Sequence, residues 1–408
     1  MDNSETSSPE IAQTSALDGV KVIDCTHFLA GPFCTMLLGD MGADVIKIEK
    51  PNGGDDTRRA GPPFVNGESA AFLGINRNKR SIVLDLKSAA GVEIVRRLVR
   101  DADVFVQNLR PGTLERLSLG YEEVHALNPA LVYCTVSGYG TTGPYKDRPN
   151  FDLIAQGMSG LMSVTGHPGG PPTKIGVPIT DLNAGMYAAY GVLSAYVSRL
   201  RTGEGQQVDT SLLEAGIAYT FGESAVFFES GRVPGPIGSA HPLAAPYQAL
   251  ATSDGYVNVG APNQANWERL CEVIGRLDLL EDARFASNAA RVENRDALIG
   301  AMQPTFAGRT TAEWIKAMEA AGIPCGPIKD MAEVYADAQV IARDMMLEME
   351  HPVAGTVRNI GFPVKLSATP PVVQRPAPTL GQHTEEVLAE HGYSQDEIVA
   401  FRDTGIAP

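Results

Sequence analysis

Between Val20 and Gly140, short β-branched runs alternate with helical segments, and that rhythm leaves few folds open. VKVIDC (20–25) reads as a buried strand, GPFCTMLLGDMG (31–42) as a helix with its stop, and VIKIE (45–49) as the next strand, which makes a βαβ unit. SIVLDL (81–86), a helix near 89–100, DVFVQN (103–108), a helix near 113–125 and LVYCTVSGYG (131–140) repeat the theme. A mostly parallel sheet covered by helices is the natural assembly. The expected class is therefore α/β, with a large Rossmann-like parallel-sheet domain.

TTGPYKDRPNF (141–151) is rich in Gly, Pro and charge and reads as a loop. It leads to FDLIAQGMSGLMSVTG, a second Gly/Pro loop, a short strand KIGVPIT (174–180) and a long apolar helix from Leu182 to Leu200. That helix is apolar nearly all round and carries Ala184, Gly185, Ala188, Ala189, Gly191 and Ala195, which suits a buried, closely packed position. TGEGQ then turns into the strand VDTSLL (208–213). After the Pro/Gly-rich stretch 231–246 the rhythm changes. YQALATSDGYVNVG resembles a hairpin, and helices at 265–276, 291–306 and 311–321 complete a smaller α+β domain. Beyond GIPCGPIKD come a helix near 331–345, a strand pair around 347–366, a Pro-rich linker and a helical tail. The expected division is a flexible tail over 1–17, the first part of the large domain over 18–225, the small domain over 226–330, and a return to the large domain over 331–408.

Charge and composition narrow the function. A net charge of -15 argues against a nucleic-acid partner, because phosphate binding needs a basic surface. No apolar run approaches the roughly 20 residues that span a bilayer, and MDNSETSSPEIAQTSA has no basic or apolar leader segment, so no membrane partner and a cytoplasmic location are expected. The five cysteines are scattered, mostly in apolar runs, as reduced core thiols would be, and none forms a C-x-x-C or Cys/His metal cluster.

The first βα turn invites a dinucleotide reading, with Glu49 standing where a ribose-binding acid would, but CTHFLAGP lacks the G-x-G-x-x-G fingerprint. Asp181, at the end of the expected strand and the start of the apolar helix, has two readings. It caps the helix N–H groups, with Thr180 or Asp181 as N-cap, or those amides hold it ionised as a nucleophile that attacks a thioester carbonyl. Asp152 is a second candidate that capping alone could explain. His27 sits in the first glycine turn. Lys and Arg gather at Arg77, Lys79, Arg80 and Lys87 and again at Arg110 and Arg116, where a phosphate-rich ligand would find partners.

Taken in order, LDGVKVIDCTHFLAGPFCTMLLGDMGADVIKIEKPNGGD (17–55), NKRSIVLDLKSAAG (78–91), ADVFVQNLRPGTLERLSLGYEE (102–123), NPALVYCTVSGYGTTGPY (128–145), FDLIAQGMSGLMSVTG, GVPITDLNAGMYAAYGVLSAY, GIPCGPIKDMAEV and PTLGQHTEEVLAEHGYSQDEI resemble the class III CoA-transferases, the formyl-CoA transferase and carnitine CoA-transferase family. The resemblance covers about residues 17–405. It implies an enzyme whose catalytic aspartate is Asp181, with an acyl-CoA thioester as substrate, no permanently bound cofactor, and a small carboxylic acid as the other partner. It places CoA contacts on His27, Phe28, Leu29 and Ala30, on Lys50, on Leu84 to Lys87, on Asn108, Leu109 and Arg110, on Arg116, and on the segment Pro149 to Asp152, including Phe151. It also implies an interlocked homodimer, which the long Pro/Gly links around 225–245 and 322–330 allow. Leu29 stands where formyl-CoA transferase has glutamine, Pro149 where it has lysine, Phe151 where it has tyrosine and Asp152 where it has glutamate. No GGGGQ run follows the linker, so formate and oxalate specificity does not carry over. Related α-methylacyl-CoA racemases share the Asp181 position but use a histidine where this chain has Phe151, and epimerisation needs a base on each face of the α-carbon. A CoA-binding subunit of a two-chain transferase is the remaining alternative. Succinyl-CoA and small dicarboxylates are the expected substrates.

Overall fold

The computed structural model of the chain describes residues 15–408. It forms two compact units. One holds the described residues up to Leu161 with Ile175–Ala225 and Gln339–Pro408, and the other holds Met162–Lys174 and Val226–Ala338.

In the first unit six strands, β1 (Lys21–Cys25), β2 (Asp44–Glu49), β3 (Lys79–Val83), β4 (Val104–Gln107), β5 (Val132–Ser137) and β6 (Gln207–Ser211), pair in parallel in the order β3-β2-β1-β4-β5-β6. This is the α/β architecture that the alternation of runs predicts. The chain steps outward from β1 to β3, returns to β4 on the other side of β1, and steps outward again. The loops leaving β1 and β4 therefore diverge, and in such sheets a ligand crevice opens at the carboxyl ends of those two strands.

Successive strand residues serve opposite faces of the sheet. Val22, Val104, Val106, Val132 and Cys134 pack against helix α1 (Ala30–Asp40) and a layer that includes Ala155, Ala184, Ala188, Val192 and Ala215. Ile23, Phe105 and Tyr133 face helix α2 (Ala89–Arg100) and the C-terminal residues Val387, Leu388 and Ile398. The Ser88 side chain caps α2 by accepting the Gly91 N–H at 3.0 Å, and its buried stripe of Ile94, Val95, Leu98 and Val99 recurs at helical spacing. The edge strand β3 is covered by the returning C-terminal segment. Gly381 N–H donates to Ser81 Oγ at 3.0 Å and Val83 N–H to Thr384 Oγ1 at 3.1 Å, which occupies an edge that would otherwise invite another strand.

Three helices on the first face build the site: α3 (Asp152–Met158), α4 (Ile179–Thr202) and α5 (Leu212–Ala218). Small residues let α4 lie close on α1. A Cβ added to Gly185 would stand 2.5 Å from the Ala30 carbonyl oxygen.

Several details differ from the sequence reading. The helix α4 is buried only on its small-residue face, through Ala184, Gly185, Ala188, Ala189, Val192 and Ala195, whereas Met186, Tyr187, Tyr190, Leu193, Val197 and Leu200 are exposed. Helical periodicity separates the small residues from the large ones, so one chain covers only half of this apolar surface. KIGVPIT is not a strand. Among the described residues no strand pairs with it, Pro178 has no N–H to offer a ladder, and α4 already begins at Ile179. The helix expected near 113–125 is broken into Thr113–Arg116 and Tyr121–Leu127, with Ser118 in the left-handed region at φ 54°. That near 331–345 is broken at Asp337, whose backbone is extended. The tail expected over 1–17 lies outside the described residues except for its last positions. There Leu17 N–H donates to Met41 O at 2.8 Å and the Leu17 side chain joins the core, so this end is docked.

The second unit contains the expected hairpin, Tyr247–Ala251 with Tyr256–Gly260, extended by Cys325–Pro327 into a three-stranded sheet. Trp267, Leu270, Leu298, Met302, Phe306, Trp314 and Met318 fill its core. Among the described residues no helix is long and apolar enough to cross a membrane.

Candidate active site

The loop after β1 is held from below by buried charge. Lys47, fully buried in the middle of β2, donates to Thr26 O at 2.8 Å and pairs with Asp55 at 2.9 Å. Lys79 pairs with Asp24 at 3.0 Å beneath the same turn. Burial works against the Asp24 charge, but Lys79 and Lys47 hold its carboxyl below the usual range. Burial opposes the Asp55 charge as well, and Lys47 with the Thr57 amide holds it well below the usual range. Asp55 Oδ1 in turn accepts the Phe28 N–H at 3.2 Å. From the other side of the crevice Asn108 clasps His27, accepting its N–H at 2.9 Å and donating to its carbonyl at 2.7 Å. Phe28 is thereby fixed in the left-handed region at φ 62°, a conformation that a phenylalanine adopts only under such constraint.

Above this loop lies a cavity of about 530 Å³ lined by Cys25–His27, Ile48–Pro51, Gly54, Asp55, Leu84–Lys87, Leu109, Thr113, Arg116 and Leu117. It unites His27, Lys50, Leu84, Lys87, Leu109 and Arg116 from the sequence-derived set. Its walls are largely apolar while Lys50, Lys87 and Arg116 are exposed cations, an arrangement suited to an apolar body carrying phosphates. Lys50 pairs with Asp56 at 2.7 Å. Burial lowers the His27 pKa against the pull of Asp55, so this imidazole is neutral at pH 7. Arg110 lines an adjoining cavity of about 480 Å³ that shares Leu109 and Arg116 with the first. The Asn108 side chain is taken up by its two bonds to His27. Leu29 precedes α1, and Ala30 is buried against α4, so neither of these two side chains lines the first cavity.

Phe28 lies between His27 of the cavity lining, whose ring it meets with centroids 4.8 Å apart, and the segment that carries Asp152. Its ring meets that of Phe151 edge to face, with centroids 6.0 Å apart, and Phe151 is 62% exposed. The next residue, Asp152, is tied on both oxygens. Its Oδ1 accepts the Thr180 N–H at 3.0 Å and the Thr180 hydroxyl at 2.8 Å, and its Oδ2 accepts from Gln156 at 2.7 Å. Asp152 is therefore a cap, but for α4 rather than for its own helix. Pro178 occupies the N-cap position of α4 without any side-chain cap, and Asp152 satisfies the orphan amide of Thr180 from outside.

Asp181 is the third residue of α4, half-buried, and its carboxylate makes no hydrogen bond among the described residues. This corrects the sequence reading on two points. Neither Thr180 nor Asp181 is the N-cap, and the helix amides do not hold Asp181 ionised, because the Thr180 amide is given to Asp152. Burial, and then the nearby Asp152 charge, push the Asp181 pKa up to about 7. A carboxylate with a raised pKa and no hydrogen-bond partner is, once ionised, more basic and less solvated than an ordinary one.

Sequence reasoning passed over three supporting residues. Lys47 carried a signal, since a lysine inside the apolar strand VIKIE must find a buried partner, and Asp55 ends the quoted PNGGD. Gln156, fully buried in α3, carried none beyond being polar in an apolar segment.

The sequence model of CoA-transferase family III matches residues 17–384. The chain is 42% identical over 374 residues to succinyl-CoA:glutarate CoA-transferase of Mus musculus, covering 92% of this chain and 86% of that one. It is 40% identical over 367 residues to acetyl-CoA:oxalate CoA-transferase of Acetobacter aceti, covering 90% and 93%. A crystal structure of a CAIB/BAIF family protein from Brucella suis superposes with a TM-score of 0.83 at 39% identity, over 93% of this chain and all of that one. With sequence and fold agreeing over nearly its whole length, the chain belongs to CoA-transferase family III and is an enzyme of that class.

Proposed function

We propose that this enzyme moves CoA from a succinyl-CoA donor to a small dicarboxylic acid through covalent intermediates on Asp181. The carboxylate of Asp181 attacks the donor thioester carbonyl, the C–S bond breaks, and a mixed anhydride and CoA thiolate result. The thiolate attacks the aspartyl carbonyl, which releases the donor acid and leaves an aspartyl-CoA thioester. The acceptor carboxylate attacks that thioester, a second anhydride forms, and thiolate attacks its acceptor carbonyl to give the new acyl-CoA and free Asp181. Each step keeps one activated acyl bond, so water must be kept out.

The observation that carries the reading is the Asp181 carboxylate itself, without a hydrogen bond among the described residues, on a helix start bonded to Asp152, whose neighbour Phe151 meets Phe28 and through it His27 of the cation-rimmed cavity. The cavity supports His27, Lys50, Leu84, Lys87, Leu109 and Arg116 as the CoA contacts, with Arg110 beside them. Asn108 and Asp152 act by holding the loop and helix on which Phe28 and Asp181 stand. Succinyl-CoA and glutarate in the relatives' names support a succinyl-CoA donor and a dicarboxylate acceptor. The test is exchange between succinyl-CoA and a panel of dicarboxylates, read by mass spectrometry. Asp181→Ala is expected to bind CoA but exchange nothing, and retained exchange in that variant overturns the reading.

The exposed stripe Met186, Tyr190, Leu193, Val197 and Leu200, at alternating four- and three-residue spacing on α4, supports a homodimer as the working form. Light scattering of Tyr190→Glu, expected to be monomeric, checks this. The five unpaired thiols support action in the cytoplasm.

A further inference from the structure

We propose that Gln156 is a positioning residue for Asp181: its buried amide holds the Asp152 carboxylate against the first turn of α4, together with the segment that feeds that turn. This rests on the reading of Asp181 as nucleophile.

Gln156 stands one turn after Asp152 on α3 and is completely buried. Both ends of its amide are engaged. Nε2 donates to Asp152 Oδ2 at 2.7 Å and to Val177 O at 3.3 Å, and Oε1 accepts the Ile175 N–H at 2.9 Å. One side chain thus serves the backbone of the bent segment that leads into α4, and it also orients a carboxylate. The line of directed bonds runs from Gln156 to Asp152, and from Asp152 to the N–H and hydroxyl of the buried Thr180, the residue before Asp181. The start of α4 has no side-chain cap of its own, since Pro178 occupies the N-cap. Gln156 lines neither cavity described above, so it acts on the reaction only through what it holds.

The bond to Asp152 has a chemical polarity that makes it testable. Asp152 needs a donor at Oδ2. A glutamine supplies one at every pH, whereas a glutamic acid supplies one only while protonated and becomes a facing negative charge when it ionises. The other charged groups on elements packed against α4 have partners of their own. Glu214 of α5 accepts from Ser211, Asp209 of β6 from Thr141, and Asp40 of α1 from Arg77, which leaves Asp152 as the carboxylate that Gln156 itself holds and Asp181 as the one without a hydrogen bond among the described residues.

The experiment measures kcat and KM for succinyl-CoA with glutarate as acceptor, from pH 5 to 9, in the wild type, Gln156→Leu and Gln156→Glu. Dividing each variant's kcat by that of the wild type at the same pH removes the titration of Asp181 that the two share; a charge at 156 that only raised the Asp181 pKa further would depress the ratio at pH 5 and let it recover by pH 9, the reverse of the expected trend. Gln156→Leu is expected to lose at least tenfold in kcat at every pH with KM changed less than twofold. Gln156→Glu is expected to approach wild-type kcat at pH 5 and to fall at least tenfold below it by pH 9. A Gln156→Leu enzyme within threefold of wild type, or a Gln156→Glu ratio that does not change with pH, overturns the proposal. If Gln156→Leu fails to fold, the pH ratio of Gln156→Glu alone decides. Asp181→Ala is assayed alongside. Exchange retained there removes the nucleophile, whereas an inactive Asp181→Ala with normal Gln156 variants removes only the role of Gln156.

Discussion

Replacing Asp181 by asparagine is expected to stabilise the free enzyme at neutral and alkaline pH while abolishing its activity. The native carboxyl has a pKa raised from 3.8 to about 7, by burial first and by Asp152 second. Between pH 4 and 7 the folded chain therefore holds a proton that the unfolded chain has released, so this residue lowers stability as pH rises through that window and exerts its full cost above it. A rise of that size corresponds to about 4 kcal/mol, at roughly 1.4 kcal/mol for each pH unit between the folded and unfolded pKa. Asp181 is half-buried and water screens part of that cost, which brings it to about 2 kcal/mol. An asparagine of the same shape carries no charge and escapes the cost. At roughly 2 °C per kcal/mol for a domain of this size, the melting temperature of Asp181→Asn should exceed that of the wild type by about 4 °C at pH 8. Circular dichroism melts of the two proteins without CoA, at pH 4.5 and pH 8, provide the assay, because every other titration is common to both. A gap that widens with pH is the expected result. A gap that stays constant, or a variant less stable than wild type at pH 8, would show that Asp181 is not held against its ionisation and would refute the reasoning.

Other substitutions test neighbouring parts of the account. Asp152→Asn keeps an oxygen for the Thr180 amide but removes the charge that helps raise Asp181, so the rise of kcat with pH should move to lower pH, and a profile that stays in place contradicts the coupling. Asn108→Ala removes both bonds to the His27 backbone, leaves the turn beside the cavity unheld, and should raise KM for acyl-CoA about tenfold, as two hydrogen bonds of roughly 1 kcal/mol each allow. Initial-rate kinetics over a range of succinyl-CoA concentrations measure it. Lys47→Met strands the buried Asp55 carboxylate without its counter-charge and should cost about 3–5 kcal/mol, seen as a large drop in melting temperature or loss of soluble protein.

How far these features were visible in advance depends on the kind of signal each residue leaves. The strands from Val20 to Gly140 announce themselves by β-branched runs between helical segments, and their parallel pairing follows from the connections. The face on which each residue lies follows from alternation, as Val22 and Ile23 show by entering different cores. Asp181 was visible through its place before a helix and through family resemblance, but its lack of a cap partner was not. That depends on Pro178, which reads equally well as a strand breaker or a helix start, and on Asp152, nearly thirty residues away in sequence and bonded to Thr180. The segment KIGVPIT has the composition of a strand and lacks only a neighbour, a fact about the rest of the fold rather than about the segment. The exposed half of α4 illustrates the same limit. Composition marks Tyr190 and Leu193 as residues that prefer burial, yet nothing local to them says what surface within the chain, or outside it, will supply it.

The central claim is that Asp181 carries the acyl group and then CoA. Incubating the enzyme with succinyl-CoA in the absence of acceptor, quenching with hydroxylamine, and mapping the modified peptide by mass spectrometry tests it directly. The account predicts a hydroxamate at Asp181, absent from the Asp181→Ala protein and from enzyme given free CoA. Modification at Asp152 instead, or none anywhere in an enzyme that still exchanges CoA, would contradict it.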